Sequence, residues 1–400
     1  MEDGKRAYFG AAVFVLVACV ASRLFYLAAG ALLAATVPVS PFHRGTADVP
    51  FGTTNIWTHW DGEHYVMLAS DGYLNPPHKV SPAFFPLYPL LVRSAAALFG
   101  GPLSREALGL WGVLLSLLLF PVGLYFVYKI AESGWGVRVA RASVLLLAFF
   151  PTSFFFNAAY TESLFLALSA GSLWAARVRK DLLLACLLAG LATAARNVGV
   201  FLLVPLFLAW FEDRERYGWR ATYLALAPSG LAAYAAYLWW RFGDPLLFYG
   251  AQEQWSRQPT GPVTTVRVAL QNALDGVARL LDPQLRAESS LGRLAEALAG
   301  AQTTFSLLLL VLAVTLVAVG FRTLPLGLSL YTLLLVAVPI SFGTPVDPLM
   351  GLPRYLLVAF PIFIVLATRL EGRSLYTWLV ASAAVSLVPC ALFVTWRFVA

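Results

Sequence analysis

The chain has 400 residues, of which 60% are hydrophobic and only 12% charged, and its mean hydropathy is +0.74. A soluble domain is nearer half apolar and a quarter charged, so the composition argues against a soluble fold and for a membrane-embedded one. The net charge of +7 follows from arginines at cytoplasmic helix ends, and no basic, aromatic-interleaved stripe accompanies it, which sets aside nucleic acid as a partner.

Lys5 and Arg6 precede an apolar run over 8–36 that Arg23 interrupts. The run is too long for the core of a secretory signal, so an uncleaved first helix is expected. Further runs follow at 107–130, 138–156, 160–178, 181–195, 197–211, 220–241, 302–321, 324–342, 354–369 and 374–397. With about 20 residues needed to cross a ~30 Å hydrocarbon core, they predict about eleven transmembrane helices. The runs 181–195 and 197–211 are short for a crossing and read as one broken or strongly tilted pair. Strand-like alternation is missing, so helices must satisfy the backbone. The expected fold class is an all-α polytopic membrane protein, with 1–400 as a single domain. Cys19, Cys186 and Cys390 lie inside apolar runs and read as buried small hydrophobes.

Orientation follows from basic residues in short loops. Lys5 and Arg6, then Lys129, Arg138 and Arg141, then Arg177, Arg179 and Lys180 fall on one side. Arg214, Arg216, Arg220, Arg322, Arg369 and Arg373 join them if the segment 84–99 does not cross. That segment holds two prolines and Arg93, as an interfacial helix would. The N-terminus is then cytoplasmic, and two long loops, 37–106 and 242–301, face the extracytoplasmic side. No internal repeat is visible, which weighs against the repeat-built transporters.

The first of these loops carries "WTHWDGEHYVMLASDGY" at 57–73 and all four histidines, His43, His59, His64 and His78, along with Asp48, Asp61, Glu63 and Asp71. The histidines lack HxxxH or HxH spacing, so no metal site is read and no cofactor is required; a divalent metal has no support in the pattern. If 58–70 is a short helix, Asp61, His64 and Tyr65 share a face by their i, i+3, i+4 spacing. Asp61, beside Trp60, is then either a candidate base or a helix-capping acid. Glu162 and Arg196, followed by Asn197, stand in apolar runs, where ions face a cavity or pair with each other. Arg354 reads as an interfacial anchor or as a further cation at the same outer face. Together they imply an outward cavity suited to an anionic lipid headgroup, since a guanidinium binds phosphate bidentately.

These motifs, in this order, resemble the PIG-V type, the second mannosyltransferase of glycosylphosphatidylinositol assembly, and its bacterial relatives. The likeness rests on "WTHWDGEHYVMLASDGY" with "SPAFFPLYPLL", on "FFPTSFFFNAAYTESLFLALSAGSLWAAR" and on "LAGLATAARNVGVFLLVPL". The shorter "GDPLLFYGAQEQW" and "LPRYLLVAFPIF" extend it, to roughly residues 57–365. Arg196 and Asn197 are adjacent here, where eukaryotic members often carry an intervening Ser.

The resemblance implies a GT-C fold with interfacial helices in the first extracytoplasmic loop and Asp61 as the acidic catalytic residue, acting as base. It maps the family's second acidic position to Glu162 and its Arg-Asn pair to Arg196 and Asn197, and with these Trp60, His64, Tyr65, Asn157, Tyr160, Arg354 and Tyr355 are expected to bind substrate. The implied activity moves a mannose, or similar hexose, from a polyprenyl-phosphate-linked donor to a lipid-linked or glycolipid acceptor among membrane lipids, with inversion. The alternatives are a transporter or flippase of a lipid-linked sugar, a protein O-glycosyltransferase, and an inactive scaffold.

Overall fold

Helix follows helix along the chain, and the breaks between them decide where polar groups enter the interior. The structure, a computed structural model, describes residues 2–41, 55–74, 81–281 and 290–399, without the side chains of 2–9. His43, Asp48 and His78 lie outside the described residues, as do the side chains of Lys5 and Arg6.

The first half of the chain forms α1 (Glu2–Thr36), α2 (Asp61–Asp71), α3 (Leu87–Leu98), α4 (Arg105–Ala148), α5 (Glu162–Trp174), α6 (Leu182–Ala195) and α7 (Leu203–Glu212). The second half carries helices at Ser229–Phe242, Pro262–Leu280, Leu291–Gly300, Gln302–Thr323, Leu326–Ser341, Leu352–Val358, Pro361–Ala367 and Gly372–Val394. Among the described residues, the β-structure is one antiparallel pair, Gln258–Pro259 with Phe342–Gly343. The chain is all-α and polytopic.

Among the described residues, four helices are long and apolar enough to cross a membrane: Gly10–Thr36, Arg105–Ala148, Gln302–Thr323 and Gly372–Val394. The remaining expected crossings are shorter helices separated by breaks, so the count of about eleven is not reproduced as continuous spans. Gly136, at φ 82° and ψ 172°, interrupts α4, between the runs 107–130 and 138–156. The second of those runs stops at Ala148, and residues 150–161 continue as buried irregular chain.

Irregular backbone survives in an apolar interior only when its polar groups find partners. Here Arg23 of α1 supplies them, donating from Nη1 to the Ser153 carbonyl at 2.7 Å and from Nη2 to that of Ala148 at 3.0 Å. The Tyr26 hydroxyl donates to the Phe150 carbonyl at 3.0 Å.

The predicted broken pair is present as α6 and α7. Arg196 adopts extended backbone (φ −154°, ψ 140°) after its N–H caps Ala192 at 3.0 Å. Asn197 starts the next turn by accepting the Val198 N–H on its own Oδ1 at 2.9 Å, a local bond that competes with helix continuation. Gly199 lets this turn fold back onto α6, since a Cβ there would lie 2.7 Å from the Ala192 and Thr193 backbone. Later, Pro361 lacks the N–H needed to continue the ladder beyond Val358. Finally, α3 has 12 residues, a rise of ~18 Å that falls short of the ~30 Å core. It is instead tied to the end of α2 by Arg93 Nη1, which donates to the Ala69 and Ser70 carbonyls.

Candidate active site

The turn that starts α2 is held by the irregular segment before α5. Trp60 sits at φ 60° and ψ −120°, a conformation that costs a bulky residue energy and needs outside support. Tyr160 provides it. The phenol donates to the His59 carbonyl at 3.0 Å and accepts the Asp61 N–H at 3.1 Å. The Ala159 N–H also bonds the Trp57 carbonyl at 2.8 Å. The sequence "WDGEH" is therefore locked onto "AAYTE", and Asp61 is fixed as the first residue of its helix.

Its carboxylate does not cap that helix. Oδ2 accepts a 2.5 Å bond from Arg354 Nη1. Arg354 Nε in turn donates to Glu162 Oε1 at 2.7 Å, and Arg196 Nη1 donates to the same oxygen at 2.7 Å. The result is a chain of alternating charge, Asp61–Arg354–Glu162–Arg196, drawn from α2, the helix Leu352–Val358, α5 and the α6–α7 break. Glu162 is fully buried, and its Oε2 has no hydrogen-bond partner. The Arg354 guanidinium lies 4.5 Å from the Tyr160 ring centroid, and that of Arg196 lies 5.3 Å from the Tyr355 centroid. Both alternatives for Glu162 and Arg196 thus coincide: they pair, and the pair reaches the cavity through Arg196. Arg354 is 8% exposed, so it is a network member and not an interfacial anchor.

Asp61 and Arg354 open onto a cavity of about 670 Å³. Tyr65, Arg196, Asn197 and Tyr355 also line it, as do Phe84, Trp255 and Arg257. Apolar residues line it too, among them Val200, Phe201, Leu231, Phe248 and Val338. Burial pushes the Asp61 carboxyl up, but the Arg354 guanidinium bonded to it, helped by His64 and Arg257, outweighs this and leaves it below the usual carboxylate range. Glu63, on the same helix, has no such neighbour, and burial raises its carboxyl to about 8.

The other expected residues pack in and around the cavity wall. His64 stacks on Phe84 at 4.6 Å, and Tyr65 meets Phe84 and Tyr88 edge-on. Trp60 packs against Trp396 and Phe398, with its indole Nε1 buried and unbonded. Asn157 is placed elsewhere: fully buried, with Oδ1 accepting from Arg23 Nη1 at 2.6 Å.

Two residues were missed from sequence. Arg257 donates from Nη2 to the Met350 carbonyl at 2.8 Å and from Nη1 to Gln252 Oε1 at 3.2 Å, while its Nε is buried without a partner. It lies two positions beyond "GAQEQW", in a polar stretch where an arginine draws no notice. Arg23 carried a signal, a charge inside an apolar run, but nothing near it in sequence named its partners. Among the described residues, no three His, Cys, Asp or Glu side chains gather as a metal-ligand set.

The family model described as Mannosyltransferase (PIG-V) matches residues 9–209. GPI mannosyltransferase 2 of Drosophila pseudoobscura pseudoobscura is 38% identical over 112 residues, covering 27% of this chain and 24% of that protein. The human GPI alpha-1,6-mannosyltransferase 2 is 31% identical over 156 residues, 36% of this chain and 29% of that protein. The matched stretches thus span between 24% and 29% of these curated relatives. ArnT from Cupriavidus metallidurans, in a structure bound to undecaprenyl phosphate, aligns with TM-score 0.48 and 16% identity over 93% of this chain and 62% of its own. The apo oligosaccharyltransferase of Archaeoglobus fulgidus aligns with TM-score 0.45 and 14% identity, over 96% of this chain and 56% of its own.

Proposed function

This chain belongs to the PIG-V mannosyltransferase family, and from that membership we propose a concrete reaction for it. It transfers a mannose, or a similar hexose, from a polyprenyl-phosphate-linked donor to a lipid-linked or glycolipid acceptor. The chain is a multi-pass membrane protein with the family's GT-C architecture, its N-terminus cytoplasmic and its site at the extracytoplasmic face. The names of its relatives, GPI mannosyltransferases, favour a lipid-borne glycan as acceptor.

The observation that carries this reading is the position of Asp61, at the wall of a cavity that Arg196, Arg257, Arg354 and Glu253 line together with many apolar residues. A phosphate on an isoprenoid chain combines the same two chemistries. Arg257 supports the phosphate end, because among the described residues it forms no ion pair and meets Asp61 and Asp347 only through longer-range attraction. Arg196 also lines the cavity, with its charge engaged by Glu162.

The chemistry then needs one base. Asp61 takes the proton of the acceptor hydroxyl as that oxygen attacks the anomeric carbon from the face opposite the phosphate. The new C–O bond forms, the bond from the anomeric carbon to the phosphate oxygen breaks, and the electron pair leaves with the phosphate. That leaving group is already a stable anion, so it needs no general acid. A glycosidase needs a second carboxylate for protonation, whereas here one suffices. Developing charge on the phosphate is met by guanidinium groups already in place.

The test is transfer by purified protein in detergent, given polyprenyl-phosphate-mannose and a panel of lipid acceptors, with and without chelator. Wild type transfers, and Asp61→Asn loses turnover by a factor on the order of 10² or more. Equal transfer by both proteins removes Asp61 from the mechanism.

A further inference from the structure

Asp61 faces a contradiction as a base: the guanidinium that holds it also lowers its basicity. The groups facing its carboxylate are Arg354, His64, Arg257, Tyr65 and Tyr160, with Glu162 acting through Arg354. Of these, Arg354 alone among the described residues donates a side-chain hydrogen bond to it.

The second half of the network is lopsided. Glu162 Oε1 takes two charge-assisted bonds, from Arg196 Nη1 and Arg354 Nε. Its other oxygen, Oε2, is sealed from water and takes none. A buried carboxylate oxygen without a donor is costly, and a neighbouring group that can reach it gains by doing so. A guanidinium presents Nε and one terminal nitrogen along a single edge that matches both oxygens of a carboxylate. Arg354 uses only the Nε of that edge on Glu162, while Nη1 is spent on Asp61. Turning about the Cδ–Nε bond swings the terminal nitrogens while Nε stays near Glu162, whose Oε2 is a vacant acceptor, and Arg354 also borders the cavity.

We propose that Arg354 has two positions, one parked on Asp61 in the empty site and one on the donor phosphate with Glu162 held by both oxygens. Donor binding pulls Nη1 away from Asp61, so the base is released only once its substrate is present. Glu162 is the pivot, and its empty Oε2 is the seat that the rotated guanidinium fills. This rests on the lipid-phosphate donor proposed above.

The test is a double-mutant cycle for binding of a short polyprenyl phosphate, citronellyl phosphate, by the full chain in detergent, with titration calorimetry as the readout. The four proteins are wild type, Asp61→Asn, Arg354→Gln and the double variant. If Asp61 competes with phosphate for Arg354, Asp61→Asn binds about tenfold tighter than wild type, and that gain disappears in the Arg354→Gln background. If Asp61 merely repels the phosphate, the gain persists or grows once Arg354 no longer neutralises it, and the two-position guanidinium is overturned. The cycle separates these because competition and repulsion give couplings of opposite sign.

Arg354→Gln leaves Glu162 paired with Arg196, so the fold retains an ion pair at the pivot. Arg354→Lys serves as a second variant with the charge kept. Its single ammonium cannot hold Glu162 by both oxygens and serve phosphate together, so it binds phosphate less tightly than wild type. Affinity equal to wild type in Arg354→Lys overturns the pivot. Binding of citronellyl phosphate without the expected coupling sinks this inference alone. No binding by any of the four proteins sinks it together with the lipid-phosphate donor.

Discussion

Asn157 Oδ1 accepts a 2.6 Å hydrogen bond from Arg23 Nη1, a contact between α1 and the irregular chain that carries Tyr160. Arg23 is 4% exposed and, among the described residues, has no carboxylate partner. Its charge is met by carbonyls, by Ser153 Oγ at 2.8 Å and by the Phe120 ring at 4.4 Å. Asn157 therefore belongs to the support of the site and not to its lining. We expect Asn157→Ala to lower stability by about 1.5–3 kcal/mol, the usual cost of losing a hydrogen bond to a charged group. Donor affinity of the folded protein should be unchanged. Thermal unfolding in detergent beside equilibrium donor binding checks this, and a stable variant with weakened donor binding would return Asn157 to the substrate.

How much of this was legible in the sequence depended on distance along the chain. The helix α2, the break at Arg196 and the non-crossing α3 were readable because each rests on local chemistry: an i, i+4 face, an ion in an apolar run, a proline pair. Asp61, Glu162 and Arg196 were flagged because charge is expensive where they stand. Their connection was not legible, since Arg354 lies 293 residues from Asp61 and 192 from Glu162. Asn157 was misplaced for the same reason: its partner is 134 residues away. The expected crossings do not all appear as continuous helices because hydropathy does not register where the backbone leaves the helix, as it does at Ala148 and beyond Val358.

Glu162→Gln tests the network from its centre. Glu162 is the anion shared by two largely buried arginines, so the substitution leaves Arg196 without a charge partner and Arg354 with Asp61 alone. Breaking a buried pair on one side costs about 3–5 kcal/mol. We expect a clear loss of thermal stability, with Glu162→Asp retaining more of it than Glu162→Gln. Melting curves in detergent that match wild type for Glu162→Gln would show that the arginines do not depend on this carboxylate.

Arg257→Gln should behave in the opposite way. Arg257 lines the cavity and bonds only an amide and a carbonyl among the described residues, so no hydrogen-bonded anion is broken from it by its loss. One charge-assisted contact to a phosphate corresponds to roughly a tenfold to hundredfold change in affinity. Donor KM should rise by that factor while the melting temperature stays near wild type. A variant that melts early with normal donor KM would make Arg257 a structural residue.

Glu63 gives the stability of the fold a pH dependence. It is 7% exposed, and burial raises its carboxyl from the usual 4.5 to about 8. The folded state thus binds this proton more tightly than the unfolded state does. The resulting stabilisation is fully present below about pH 4.5 and is lost as pH rises through about 8. Glu63→Gln stays neutral throughout and escapes the loss. Unfolding measured at about pH 5 should show little difference between the two proteins. At about pH 9 the variant should be the more stable, by an amount on the order of a few kcal/mol. A variant less stable than wild type at the higher pH would mean that Glu63 is ionised in the folded protein and held by a cation.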